Sequence, residues 1–95
     1  KADVVITNPT HVAIAVRYDP THVPDPRVLA KGADLRAERI RRLAHENNIP
    51  LLENPPLARQ LYKDVELEAV IPLNLYEAVA KVIAYVTQLQ QQKRQ

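Results

Sequence analysis

The chain has no cysteine, serine, methionine, phenylalanine or tryptophan, and a single glycine, Gly32. Without cysteine there is no disulfide and no thiolate metal site, a pattern that fits a reducing compartment. Without serine a serine nucleophile is excluded, and one glycine cannot build a glycine-rich phosphate loop. The three histidines, His11, His22 and His45, are widely spaced and lack a paired carboxylate motif, so no metal and no cofactor is expected. No uninterrupted apolar run approaches the roughly 20 residues that span a bilayer. The chain opens at Lys1 directly on a strand pattern without a leader, from which a piece of a longer protein is expected.

What is present is aliphatic. Apolar residues make up 46% of the 95, supplied by Val, Ile, Leu, Ala and four Tyr. That length supports one domain with one modest core. Val12, Ile14, Val16 and Tyr18 alternate with Ala13, Ala15 and Arg17, so one face of a strand is bulky and the other has room for a packed helix. Val4-Val5-Ile6 reads as a strand before it. Residues 19–26, with three prolines, read as a loop, and Arg27–Lys31 as a short strand closed by Gly32. Asp34 is the expected N-cap of a helix with the stripe Ala37, Ile40, Leu43 and Ala44, ended by Asn47-Asn48. Pro50–Glu53 is a short buried strand, and Asn54-Pro55 opens a helix that buries Leu57, Leu61 and Val65. Asn74 with Glu77 resembles a capping box for a last helix with the stripe Leu75, Val79, Val82, Ile83, Val86 and Leu89. Residues 88–95 read as a frayed polar tail. The order strand, strand, strand, helix, strand, helix, helix predicts an α/β fold: a small mixed four-stranded sheet packed with helices, in a single domain.

The formal charge of +2 is too small to demand a polyanionic partner. Arg36, Arg39, Arg41 and Arg42 cluster, but Glu38 and Glu46 are interspersed, as on a solvated helix face. No stacking aromatic lies among them, so a nucleic-acid binder is the weakest of the readings considered and no nucleic acid is expected as a partner.

The chemically distinctive stretch is Asn8-Pro9-Thr10-His11, a polar corner between two strand-like segments. Asparagine usually breaks down when the next residue's N–H attacks its side-chain carbonyl, and Pro9 has no N–H. The route left open is attack by the Asn8 side-chain nitrogen on the Asn8 backbone carbonyl. That closes a succinimide, expels the Pro9 nitrogen and breaks the chain between Asn8 and Pro9. The reaction is intramolecular, so placement is its main catalyst, and Pro9 helps by pushing Asn8 into the extended region. A type I turn suits the corner better than type II, which wants Gly or Asn where Thr10 stands. Strain at the tertiary amide would help further. Thr10 offers a hydroxyl and an N–H, while histidine is the side chain that ordinarily exchanges protons near neutrality and His11 is the one at the corner. In isolation the same residues are better explained by ordinary turn chemistry, because Pro presets φ, Asn bonds locally and Asn-Pro turns are common.

The flanking sequence adds to this. Asp3 through Val16, with Asn8-Pro9-Thr10-His11 at its centre, resembles the autocleavage site of the type III secretion export-switch proteins, the FlhB and YscU family. Val28-Leu29-Ala30-Lys31-Gly32, Ile49 through Tyr62, Ile71-Pro72 and Tyr76-Glu77-Ala78-Val79-Ala80 follow in register, so the resemblance covers nearly the whole chain. Glu53-Asn54-Pro55-Pro56 and the Tyr76 block look more flagellar than injectisome, although Val12 departs from the Tyr often found there. The resemblance implies a self-cleaving specificity switch, not a turnover enzyme, in which Asn8, Pro9, Thr10 and His11 carry or position the cut into residues 1–8 and 9–95. It also implies a domain on the cytoplasmic face of the bacterial inner membrane, attached through an N-terminal transmembrane part. The implied partners are export substrates, their chaperones, a ruler protein and other export-gate subunits. Pro55, Pro56, Leu57 and Arg59 are a candidate partner surface, or a plain helix start with Leu57 buried. An uncleaved binding module that only presents the corner is the main alternative. If cleaved, residues 1–8 would be held by ladder bonds and three aliphatic side chains against a comparable ordering cost, which predicts weak retention.

Overall fold

The computed structural model describes residues 2–9, 11–19 and 23–93. Thr10, His22 and the last two residues of the expected tail lie outside the described residues. Seven elements follow one another: β1 (Val4–Asn8), β2 (Val12–Asp19), β3 (Val23–Ala33), α1 (Asp34–Glu46), β4 (Leu51–Glu53), α2 (Pro55–Asp64) and α3 (Leu73–Lys93). The strands form one mixed sheet in the order β3-β2-β1-β4. β1 and β2 pair antiparallel, with Val4 opposite Val16 and Asn8 opposite Val12. β2 and β3 are also antiparallel, while β1 and β4 are parallel with Ile6 opposite Leu52. The expected fold class and element order hold.

The alternation in β2 sets the layers. Val12, Ile14 and Val16 join Val4, Ile6 and Val28 under α2 and α3, against Leu57, Ala58, Leu61, Leu75, Val79 and Val82. Ala13 and Ala15 face the other way with Val5, and the small Ala37 and Ala44 let α1 lie close on them. Gly32 belongs to the same close approach: a Cβ there would come within 2.5 Å of the Arg36 Cγ and 2.8 Å of its Cβ. α1 ends as its two asparagines suggest. Asn48 takes a left-handed φ of 58°, the Ile49 N–H donates to the Ala44 carbonyl at 2.8 Å, and the Asn48 N–H donates to that of His45 at 3.3 Å, closing a Schellman motif. Lys31 ties β3 to the far end of α2: its Nζ donates to the carbonyls of Tyr62 (3.0 Å) and Val65 (2.9 Å), orphan acceptors of that helix terminus.

Several expectations are corrected. β3 begins at Val23, so the second half of the expected proline loop is strand. The segment tolerates Pro24 and Pro26 because β3 is an edge strand. That edge is covered in turn by the Glu68 N–H on the Val28 carbonyl (2.7 Å) and the Ile71 N–H on that of Pro26 (3.3 Å). Asp34 is not an N-cap; Ala33 is, without a side-chain bond, and Asp34 is the first helical residue. Leu43 is 50% exposed, outside the buried stripe. Asn74 lies inside α3 rather than at its cap, because the Leu75 and Tyr76 N–H groups bond to the Pro72 carbonyl, and Glu77 pairs with Lys81 at 3.1 Å. The glutamine-rich end is helical as far as Lys93, in keeping with the good helix propensity of Gln. No helix among the described residues is long and apolar enough to cross a membrane.

The close alanine layer yields a test. Ala37→Leu adds three carbons where α1 meets Ala13 and Ala15, and overpacking should lower stability by about 1–3 kcal/mol. Urea unfolding should show an earlier midpoint with an unchanged slope.

Candidate functional site

β1 ends on Asn8 and β2 begins on Val12, so Pro9, Thr10 and His11 make the link. The His11 N–H donates to the Asn8 carbonyl at 2.9 Å, the bond from first to fourth residue of a β-turn with Pro9 in the position that suits it. The third residue of that turn, Thr10, lies outside the described residues. Asn8 is only 6% exposed. By strand alternation it shares the face of Val4 and Ile6, the face that carries α2 and α3. Its Nδ2 is buried and has no hydrogen-bond partner among the described residues. A buried donor without an acceptor costs roughly 1–3 kcal/mol, so a side chain in this state is held in place by the surrounding fold and not by its own bonds.

Two further backbone bonds pin the corner. On one side the Asn54 N–H donates to the Thr7 carbonyl at 2.9 Å, one residue before the turn. On the other the Asp34 N–H, at the first residue of α1, donates to the His11 carbonyl at 2.9 Å. Asp34 has a φ of 52°, a left-handed conformation that ordinary residues avoid. Among the described residues of the corner itself no φ is positive. The His11 side chain is exposed, and the contacts that fix His11 come from its backbone.

This arrangement has a definite chemical capacity. Nδ2 has no hydrogen bond among the described residues that it would have to give up in order to turn toward its own backbone carbonyl. The oxygen that would gain charge as it attacks already accepts the His11 N–H, in the manner of an oxyanion hole. The four corner residues stand out in the sequence, whereas Asp34 and Asn54 carry only helix-capping signals there and not their backbone bonds to the corner. For Asn54 that role is also present: its Oδ1 accepts the Leu57 N–H at 3.3 Å. The structure brings the Pro55 block beside the corner through Asn54, but Leu57 is 6% exposed and belongs to the core. Pro56 and Arg59 remain at the surface of this end of α2, and Pro55 is half-buried. A groove of about 570 Å³, lined by Asp3, Tyr18, Pro26, Tyr76, Ala80 and Ile83 among others, opens at the far end of β1 and has no counterpart in the sequence reading.

Residues 1–86 match the FlhB HrpN YscU SpaS family. The chain belongs to that family. It is 55% identical to the flagellar biosynthetic protein FlhB of Yersinia enterocolitica over 100% of this chain and 25% of that protein. It is 54% identical to FlhB of Escherichia coli K12 over 94% of this chain and 23% of that one. It therefore spans about a quarter of the length of these curated relatives. The crystal structure of the cytoplasmic domain of FlhB from Shewanella putrefaciens matches with a TM-score of 0.92 at 46% identity, covering 98% of this chain and 71% of that one. An EscU C-terminal domain with an asparagine-to-alanine mutation matches at 0.88 and 37% identity, covering 90% of this chain and 86% of that one. Another, with a proline-to-alanine mutation at the next position, matches at 0.86 and 38% identity, covering 90% of this chain and 84% of that one. Identity to these FlhB proteins exceeds that to EscU, as the flagellar character of the sequence blocks suggests.

The left-handed clamp residue can be tested alone. Asp34→Gly should leave stability near its starting value, whereas Asp34→Val, which cannot adopt this φ without strain, should fall about 1–2 kcal/mol below the Gly variant. Urea unfolding of the pair measures the difference.

Proposed function

We propose that this domain is the self-cleaving switch of a type III protein export apparatus of the flagellar kind, cutting itself between Asn8 and Pro9. The observation that carries the reading is the buried, unpartnered Nδ2 of Asn8 in a turn whose carbonyl is held by the His11 N–H. Nδ2 attacks the Asn8 carbonyl carbon, the new C–N bond closes a succinimide, and the bond to Pro9 breaks. The proton lost by Nδ2 ends on the Pro9 nitrogen, by way of water or the exposed His11 imidazole. Water later opens the ring. In the solved EscU domains an asparagine and the proline after it are the positions replaced by alanine, and an Asn-Pro pair stands at this corner of the present chain. Cleavage would alter a surface read by export substrates, their chaperones, a ruler protein and other export-gate subunits, on the cytoplasmic side of the inner membrane. It happens once per chain and involves no turnover.

Denaturing mass spectrometry of freshly refolded protein tests the chemistry. The expected products are residues 1–8 and 9–95, with the short one first appearing lighter by one water, as a succinimide requires. Asn8→Ala should stay whole and folded, and Pro9→Ala should cleave far more slowly because it relaxes the turn and restores an N–H. Two fragments from Asn8→Ala would rule out cyclisation, and an intact wild-type chain would favour the uncleaved binding module.

The position of β1 supports a firmer retention of residues 1–8 than the residues alone suggest. β1 is paired on both edges and buries Val4, Val5 and Ile6, each worth roughly 1.5–3 kcal/mol. The cut domain should keep residues 1–8 through native gel filtration. Ile6→Ala, costing about 2–5 kcal/mol, should release them. Loss of the short fragment from the cut wild-type domain, with the rest still folded, would contradict this placement of the strand.

A further inference from the structure

The chain contains two Asn-Pro pairs, Asn8-Pro9 and Asn54-Pro55, and the fold sets them side by side. The Asn54 N–H donates to the carbonyl of Thr7, the residue before Asn8. Their side chains are in opposite states. Asn8 Nδ2 has no partner among the described residues. Asn54 is committed twice to the start of α2: its Oδ1 accepts the Leu57 N–H at 3.3 Å and its carbonyl accepts the Ala58 N–H at 2.9 Å. To cyclise, Asn54 would have to turn its amide onto its own carbonyl carbon and give up the cap, so the second pair is locked by the helix it starts.

We propose that Asn54 is the positioning residue of the Asn8–Pro9 cut, an inference that rests on the cyclisation reading above. The N-cap bond fixes the Asn54 backbone, and the Asn54 N–H in turn fixes the Thr7 carbonyl. The Asp34 N–H holds the His11 carbonyl at the other end, so the corner is pinned on both sides, by the N-cap residue of α2 and by the first residue of α1. Losing the cap frays the first turn of α2, lets Asn54 leave Thr7 and frees the backbone torsions that keep the Asn8 amide aligned. Alignment is where an intramolecular reaction gains its rate.

The test is a series at position 54, with cleavage of refolded protein followed by denaturing mass spectrometry and stability by urea unfolding. Rates should follow N-cap strength: Asn54→Asp and Asn54→Ser within about twofold of wild type, Asn54→Gly between, and Asn54→Ala about five- to tenfold slower. Lys31→Met, which removes the tether at the opposite end of α2, is the control for a purely structural effect. It should lose stability yet cleave within about twofold of wild type. Neither the wild-type chain nor Lys31→Met, both of which keep Asn54 and its cap, should yield a fragment ending at Asn54. Should Asn54→Ala fail to fold, the Asp and Gly variants carry the comparison. A flat series, or Asn54→Ala and Lys31→Met slowed equally at equal stability, would overturn the inference while leaving cyclisation intact. A wild-type chain that never breaks at Asn8–Pro9 would sink the cyclisation reading and this one with it.

Discussion

β1 has no free side, and the rest of the structure is arranged around that fact. Its five residues are all buried, its two edges are occupied by β2 and β4, and its faces belong to two separate cores. A strand in this position cannot slide by one residue without exchanging Val4 and Ile6 for Val5 between the bulky layer and the alanine layer. The register is therefore fixed up to its last residue, and Asn8 inherits that precision. A corner on an edge strand would sample many geometries. This one hangs from the most constrained strand of the sheet.

That constraint explains how chemistry can be expected of a chain so poor in catalytic residue types. Well-oriented intramolecular reactions gain about 7–11 kcal/mol over their bimolecular counterparts, and fixed donors on the atom that gains charge add to this. On the cyclisation reading the nucleophile, the electrophile and the leaving group belong to two consecutive residues, the donor on the attacked oxygen is the His11 N–H, and the Asp34 and Asn54 N–H groups hold the neighbouring carbonyls of His11 and Thr7. Nothing in that set requires a serine, a cysteine or a metal. What it requires is a rigid frame, and the frame carries its own cost in the buried, unpartnered Nδ2 of Asn8 and the left-handed φ of Asp34.

Much of this frame could be read from the residues. The alternation of Val12, Ile14 and Val16 with Ala13 and Ala15 gave both faces of the sheet, and Asn47-Asn48 and Asn54-Pro55 marked real helix ends, because each signal is local and physically overdetermined. The centrality of β1 was not legible. It depends on the parallel pairing of Ile6 with Leu52, far apart in the chain, which no periodicity reports. Asp34 and Asn74 failed as caps for a related reason: Ala33 and Pro72 are placed by β3 and by the preceding segment, and tertiary placement of the chain entering each helix outweighs the preference of one side chain. The corner's four residues stood out from sequence, while its clamps did not, because a backbone N–H leaves no mark on residue type.

The same frame explains why a cut here can change a surface without undoing a fold. On the cyclisation reading, opening the succinimide leaves a carboxylate at Asn8 and an ammonium at Pro9 where one neutral amide stood. Asn8 is 6% exposed, and an ion held in such a place without a partner costs several kcal/mol in lost hydration. The new ends are therefore driven toward water. The Asn54 bond keeps Thr7 in the sheet and the Asp34 bond keeps His11 on α1, so the displacement is confined to the residues between these clamps. A local burial penalty, bounded on both sides by backbone bonds, becomes a local change of shape and charge at the one end of β1 where Pro56 and Arg59 are already exposed beside Asn54.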